Sequence, residues 1–115
     1  MTPKRSRKSA REERDVVTET FVWDGITIEV VYEADWCNSS EGHFPASHLA
    51  ITSITPAKAP LPITETGYRS HFLSPGEVEE AGGPTPYVSA WLEHAARDPK
   101  WRKSEQARRQ LDLFG

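Results

Sequence analysis

The chain has 115 residues and a net charge of −3, and 37% of its residues are hydrophobic, which bounds it to one domain with a modest core. Its single cysteine excludes an intrachain disulfide, and no apolar run approaches the roughly 18 residues of a membrane span. The basic first residues lack the apolar stretch of a signal peptide. We therefore expect a soluble cytoplasmic protein with no membrane contact.

Charge is distributed unevenly along the chain. Residues 1–14 carry six Lys or Arg against two Glu, and residues 97–110 carry six against two acidic residues. Residues 15–96 hold two basic residues against twelve acidic ones, a net charge of −10. Basic ends around an acidic body predict ends that contact nucleic acid and a body that does not. The alternative is that the ends are solvated or fold back on the acidic body.

Residues Glu19–Tyr32 predict a β-hairpin. The pair Asp24-Gly25 favours a two-residue type I′ turn, because both central positions of that turn need a positive φ. With this turn Trp23 lies opposite Ile26, and the apolar residues of both arms alternate toward one face of the sheet. Turn chemistry and alternation therefore indicate the same register.

The stretch between residues 34 and 73 is predicted to be irregular apart from two more strands. A polar loop comes first, and His48–Ile54 then alternates like a strand with Leu49 and Ile51 on one face. A connector with three prolines follows, which cannot donate to a sheet ladder. After a turn over residues 64–67, residues 68–72 predict a short strand.

Two helices are predicted next. Ser74-Pro75-Gly76-Glu77 has a capping-box pattern with Pro75 at the first helical position, and two glycines end that helix. Thr85 is expected to cap a second helix that begins at Pro86. Its apolar stripe at i, i+3, i+4 and i+7 is formed by Val88, Trp91, Leu92 and Ala95. Asp98-Pro99 breaks it and caps a basic, fraying extension to about Arg109.

The predicted fold class is α+β: a small curled antiparallel sheet, made of the hairpin and one or two further strands, packed by one amphipathic helix. Residues 1–15 are expected to be a disordered basic arm and residues 16–97 the single domain. Residues 98–115 are expected to be a basic extension with a flexible tail.

Five consecutive residues place three large apolar side chains on this polar extension: Gln110, Leu111, Asp112, Leu113 and Phe114. At every position the string resembles the pentapeptide with which bacterial proteins dock on the DNA sliding clamp. The resemblance implies that Leu113 and Phe114 enter an apolar pocket of the clamp, that Leu111 adds an apolar contact, and that Gln110 contacts the rim. The alternative is that these residues pack on this protein's own sheet or on a second copy.

The run Glu65–Phe72 concentrates several kinds of polar side chain in eight residues. An anion site or a general acid–base pair is conceivable from Glu65, Tyr68, Arg69 and His71. No nucleophile elbow or phosphate loop supports it, and the alternative is an ion-paired Arg69 among packed aromatic rings. The run also resembles one in small uncharacterised proteins of bacterial plasmids and integrative elements.

Ligand types that zinc prefers occur at Cys37, His43, His48 and His71. Their spacings match no common zinc motif. We therefore expect a packed cysteine with surface histidines, and no metal or other cofactor.

Nucleic-acid contact is expected from both basic ends. Aromatic rings within a basic stretch suit single-stranded nucleic acid, and Trp101 stands among such residues. The candidates are Arg5, Arg7, Lys8, Lys100, Trp101, Arg102 and Lys103. The alternative places Trp101 over the edge of the core.

These features predict a small non-catalytic accessory protein that docks on the bacterial sliding clamp and serves replication, repair or the maintenance of a mobile element. Two alternatives stay open. An acidic DNA-mimic or regulatory protein would bind a basic nuclease or repressor through the −10 body. A small enzyme or metal-binding protein would use the Glu65–His71 segment. The sequence leaves the oligomeric state open.

Overall fold

The computed structural model describes residues 16–36 and 46–114, with the backbone alone for residues 111–114. Four strands precede three helices along the chain. The strands are β1 (Val16–Trp23), β2 (Ile26–Glu33), β3 (Ser47–Thr55) and β4 (Tyr68–Leu73). The helices are α1 (Glu77–Glu80), α2 (Pro84–Ala95) and α3 (Pro99–Phe114).

The predicted hairpin is confirmed and forms one side of the sheet. Trp23 pairs with Ile26 across the turn. Asp24 and Gly25 have φ values of 50° and 80°, the positive values that a type I′ turn requires. The register continues without a shift to Val16 opposite Glu33, so the chemistry of the turn fixes the pairing of eight residues on each strand.

The sheet is antiparallel throughout, with the strands in the order β1-β2-β3-β4. Because side chains alternate along each strand, one face is buried under α2 and the other is exposed. We call these the inner and the outer face. The core on the inner face consists of Ile28, Val30, Tyr32, Leu49, Ile51, Leu61, Ile63, Leu73, Val78, Val88 and Leu92. The predicted stripes of β3 and α2 supply four of these residues.

The proline-containing connector belongs to the core, which its sequence did not indicate. Leu61 and Ile63 are 1% and 7% exposed and belong to the core cluster. Ser53 fastens the connector to β3, since its hydroxyl donates to the carbonyl of Ala59 at 2.7 Å and its N–H donates to the carbonyl of Gly67 at 2.8 Å. Part of the connector is therefore packed in the core, and the connector is not a simple extended link.

Both short helices begin at other residues than predicted. Helix α1 begins at Glu77, two residues after Pro75; half of the capping box is present, because the Glu77 carboxylate accepts from the N–H of Ser74 at 3.0 Å. Helix α2 begins at Pro84, two residues before Pro86. Its first turn is capped from a distance, as described below, so local sequence could not reveal this start.

The architecture confirms the predicted α+β class with an antiparallel sheet covered by an amphipathic helix. Helix α3 differs in extent from the expected short extension. Its helical backbone continues through Phe114, five residues beyond Arg109. The basic arm predicted for residues 1–15 lies outside the described residues.

Candidate functional site

The clamp-like segment Gln110–Phe114 occupies the last part of α3. The helix starts where Asp98-Pro99 predicted: the Asp98 carboxylate accepts from the N–H of Lys100 at 2.9 Å. Gln110 is exposed, and the side chains of residues 111–114 lie outside what is described. The segment therefore has a helical backbone, whereas the sequence predicted a fraying extension only to about Arg109.

Among the side chains that are described, those of α3 that contact the rest of the domain lie in its first three turns. The half-buried ring of Trp101 lies 6.5 Å from the ring of Trp23, centroid to centroid. The guanidinium of Arg108 lies 4.9 Å from the centre of the same Trp101 ring. Trp23 is itself held by α2, since its indole N–H donates to the Glu93 carboxylate at 3.2 Å. Trp101 is thus the joint between α3 and the body.

A groove of about 620 Å³ runs between α3 and the connector. One wall is the segment 60–65 of the connector, and the other wall consists of Asp98, Lys100, Trp101, Ser104 and Arg108. Glu65, one of the residues predicted for a polar site, lies on this groove. The groove is lined by acidic and basic side chains, so its charge favours neither an anionic nor a cationic ligand.

The other residues of the predicted polar site are divided between the two faces of β4. Tyr68 points to the outer face and is 51% exposed, whereas Arg69 and His71 alternate to the inner face. The four residues therefore do not form one site, and the predicted pairing of Glu65 with His71 is not supported by the placement of Glu65 on the groove.

Arg69 and His71 frame the ring of Trp91 on α2. The Arg69 guanidinium lies 5.4 Å from the Trp91 ring centre and donates to the carbonyl of Ile63 at 3.1 Å. The His71 ring is 4.5 Å from Trp91. This is a packing arrangement in which a cation covers an aromatic face. It corresponds to the packing alternative, except that Arg69 bonds to a carbonyl.

Burial shifts the titration of this cluster. Desolvation lowers the pKa of His71, the nearby Arg69 charge lowers it further, and Glu77 opposes both. Tyr87, whose ring is 6.4 Å from His71, has a raised pKa because of desolvation and the Glu77 carboxylate. The neutral forms of both groups are thereby favoured, which suits a packed cluster.

The four candidate zinc ligands are not gathered in the part of the chain that is described. Cys37 and His43 lie outside the described residues. His48 lies on the outer face, where it bonds the Ser70 hydroxyl at 2.6 Å, while His71 lies on the inner face. Within residues 16–36 and 46–114, no three His, Cys, Asp or Glu side chains are grouped to hold a metal.

Several carboxylates of the acidic body have structural partners. Glu19 accepts from the N–H of Thr85, Glu77 from the N–H of Ser74, Glu79 from the Tyr32 hydroxyl and Glu93 from the indole N–H of Trp23. These bonds hold the four carboxylates in place within the fold and leave their negative charge unchanged. The DNA-mimic alternative thus gains no specific observation.

The candidate nucleic-acid residues are partly described. Arg5, Arg7 and Lys8 lie outside the described residues. Lys100, Arg102 and Lys103 are exposed in the first turns of α3. Trp101 faces the body instead, in agreement with the alternative that it covers the edge of the core. The three basic side chains are therefore available to an anionic partner, whereas the Trp101 ring packs against Trp23.

Within the described residues, no helix combines the length and the apolarity needed to cross a membrane.

Comparison with known proteins identifies a family for this chain. Neither a curated protein nor a solved structure matches the chain significantly. The family model described as the KlcB third domain matches residues 17–101, which include the sheet, α1, α2 and the start of α3. The chain belongs to the KlcB third-domain family.

Proposed function

We propose that this protein is a non-catalytic accessory factor that docks on the bacterial DNA sliding clamp through Gln110–Phe114. Its setting would be the replication or repair of DNA, or the maintenance of a plasmid or integrative element. Membership in the KlcB third-domain family agrees with a mobile-element setting. The folded body would then be the part delivered to the clamp.

The position of the segment on α3 is the observation that carries this proposal. The described contacts between α3 and the body are made by side chains of its first three turns, and the segment follows these turns along the helix. The family match ends at Trp101, and the segment therefore lies beyond the region shared with the family. A recognition peptide separated from its domain in this way can reach a partner without disturbing the fold.

The resemblance assigns a role to four of the five residues of the segment. Leu113 and Phe114 fill the apolar pocket, Leu111 adds an apolar contact, and Gln110 bonds at the rim. Burying three such side chains is worth about 5–8 kcal/mol before ordering costs of several kcal/mol. We therefore expect the segment to bind the clamp with roughly micromolar affinity, which suits transient recruitment.

Docking in extended form requires the end of α3 to unwind. The last four carbonyls of a helix have no partner within the helix. The last turn of α3 also carries no basic residue to offset the negative end of the helix dipole. The end of α3 is therefore the part of the helix that opens at the lowest free-energy cost.

The exposed cations at the start of α3 would lie near DNA once the segment is docked. Lys100, Arg102 and Lys103 are within about 20 Å of Gln110 along the helix, at about 1.5 Å per residue. Contacts of this kind are with phosphates and carry no sequence preference. They would add a salt-dependent component to binding of the clamp on DNA.

Titration calorimetry with purified sliding clamp tests the proposal. The double variant L113A/F114A should abolish measurable binding, because both pocket residues are truncated. The matched control is I54A/Y68A, which removes apolar groups that are 42% and 51% exposed on the body and should bind like the original protein. Equal affinity of L113A/F114A and the original protein would refute clamp docking through this segment.

A further inference from the structure

The outer edge of β1 carries a row of backbone groups without a partner in the sheet. A two-residue hairpin turn makes Trp23 and Ile26 a hydrogen-bonded pair, so the odd-numbered residues of β1 bond to β2. The even-numbered residues Val16, Thr18, Thr20 and Val22 therefore direct their N–H and C=O groups outward. Among the described residues, no group outside the sheet bonds to them.

The opposite edge of the sheet, on β4, differs from β1 in its length and in the bonds made at its first residue. Strand β4 is shorter, with six residues against the eight of β1. Its first residue, Tyr68, has both backbone groups occupied: the carbonyl accepts from the Thr64 hydroxyl at 2.8 Å, and the N–H donates to the Thr66 hydroxyl at 3.4 Å. Side chains thus block further pairing at the start of β4.

Strand β1 has none of the features that usually prevent edge pairing. It contains no lysine or proline, and its register with β2 has no bulge. Its one charged side chain, Glu19, is turned to the inner face and bound by Thr85. Val22 and Val16 are 68% and 46% exposed, so the edge also presents apolar surface.

We propose that β1 pairs with β1 of a second copy of this chain, antiparallel, to form a continuous eight-stranded sheet across a twofold axis. A twofold axis requires the same strand on both sides, and β1 can supply outward donors and acceptors on both. The axis passes beside Thr20, so that Thr20 of each copy is opposite Thr20 of the other.

Chemistry selects this register over its neighbour. Bonded pairs can form only between outward-directed residues, and Thr20 with Thr20 and Thr18 with Val22 satisfy that condition, giving about six backbone hydrogen bonds. Shifting the axis by one residue to Glu19 would place two carboxylates directly opposite each other, which is unfavourable. In the proposed register, Glu19 lies opposite the apolar Phe21 and Val22 is covered by Thr18.

Sedimentation equilibrium of the full chain over a range of concentrations tests the pairing. The original protein should show a monomer–dimer equilibrium. T20K, which places two positive charges opposite each other at an exposed position, should weaken the dimer about tenfold or more. The control T55K makes the same change at an exposed threonine of the interior strand β3 and should dimerise like the original.

Mixing T20K with T20E tests the register itself. Each variant should be largely monomeric alone, and the mixture should recover the dimer because opposite charges then face each other. Failure of the mixture to associate would overturn the Thr20-centred register.

Hydrogen exchange of the original protein provides a measurement without substitutions. The amides of Thr18, Thr20 and Val22 should exchange more slowly as the protein concentration rises, while the amide of Thr66, which donates to the Thr64 hydroxyl at 3.3 Å in the turn before β4, should not respond. Monomeric sedimentation at every concentration, or exchange at β1 that does not depend on concentration, would overturn the proposal. This test does not involve the clamp, so its outcome is independent of the proposed function.

Discussion

The carboxylate of Glu19 on β1 caps α2 by accepting two hydrogen bonds from Thr85, one from its N–H at 3.0 Å and one from its hydroxyl at 2.6 Å. The helix has no side-chain cap of its own at Gly83. A residue 66 positions earlier in the chain therefore satisfies the first turn of α2 and ties the edge strand to the helix that covers the core.

Replacing Glu19 with alanine should destabilise the fold by about 1–3 kcal/mol, because the half-buried donors of Thr85 lose their acceptor. Chemical denaturation measures this loss. E19Q keeps one acceptor oxygen and should fall between E19A and the original protein. The control E29A removes a carboxylate from the outer face of β2, and a loss as large as that of E19A there would contradict a capping role.

Gly67 is fixed by the close approach of the connector. Its φ is +83°, and a Cβ at this position would lie 2.6 Å from the Cα of Lys58. G67A should cost about 3 kcal/mol or more, since backbone atoms must shift. G25A, at a φ of +80° with no atom within 4 Å, should cost only about 1–2 kcal/mol. Similar losses for both variants, measured by thermal or chemical denaturation, would contradict the steric argument.

His71 should make stability depend on pH near neutrality. Its pKa is lowered in the folded protein by desolvation and by Arg69, against an ordinary value of 6.5. The unfolded chain then binds the proton more readily, so stability is greatest above pH 6.5 and is lost as pH falls through the folded pKa. The free energy of unfolding of H71Q, measured between about pH 5.5 and 7.5, should fall less steeply than that of the original protein. An unchanged slope would exclude His71 as a source.

Weakening α3 should strengthen clamp binding if the docked segment is extended. Ala107 is exposed one turn before the segment, and A107G lowers helix stability by about 1 kcal/mol. The affinity for the clamp should rise by up to about fivefold in calorimetry, with a matching loss of helical circular dichroism. A lower affinity of A107G would show that the segment is recognised as a helix.

The cations of α3 should contribute to binding only when DNA is present. Replacing Arg102 and Lys103 by glutamine should leave the affinity for the free clamp unchanged. For the clamp loaded on DNA, it should reduce the slope of log affinity against log salt by about 2, one for each lost phosphate contact. The control K58Q removes an exposed cation of the acidic body and should leave this slope unchanged. Unchanged salt dependence in the double variant would exclude phosphate contacts by these residues.

The sequence predicted those parts of the fold that depend on neighbouring residues. The turn at Asp24-Gly25 set the register of β1 with β2, and the periodicity of Val88 and Leu92 identified the buried face of α2. The sequence did not predict features that depend on contacts between residues far apart in the chain. Glu19 sets the start of α2, and Gly67 holds the connector that brings Leu61 into the core.

The candidate sites follow the same division. Alternation along β4 could have shown that Tyr68 and His71 point to opposite faces, because strands have a period of two residues. The contact of Trp101 with Trp23 joins residues far apart in the chain, and no local pattern could reveal it. The clamp-binding role of Gln110–Phe114 rests on resemblance and stays a prediction.

The length of helix α3 sets the distance and the orientation between the body and the segment Gln110–Phe114. Its 16 residues give it a length of about 24 Å, and the contact of Trp101 with Trp23 helps to orient it against the body. Each residue inserted between the joint and Gln110 would turn the body by about 100° around the helix axis and move it by about 1.5 Å. The number of residues in α3 therefore dictates which side of the body a docked partner meets.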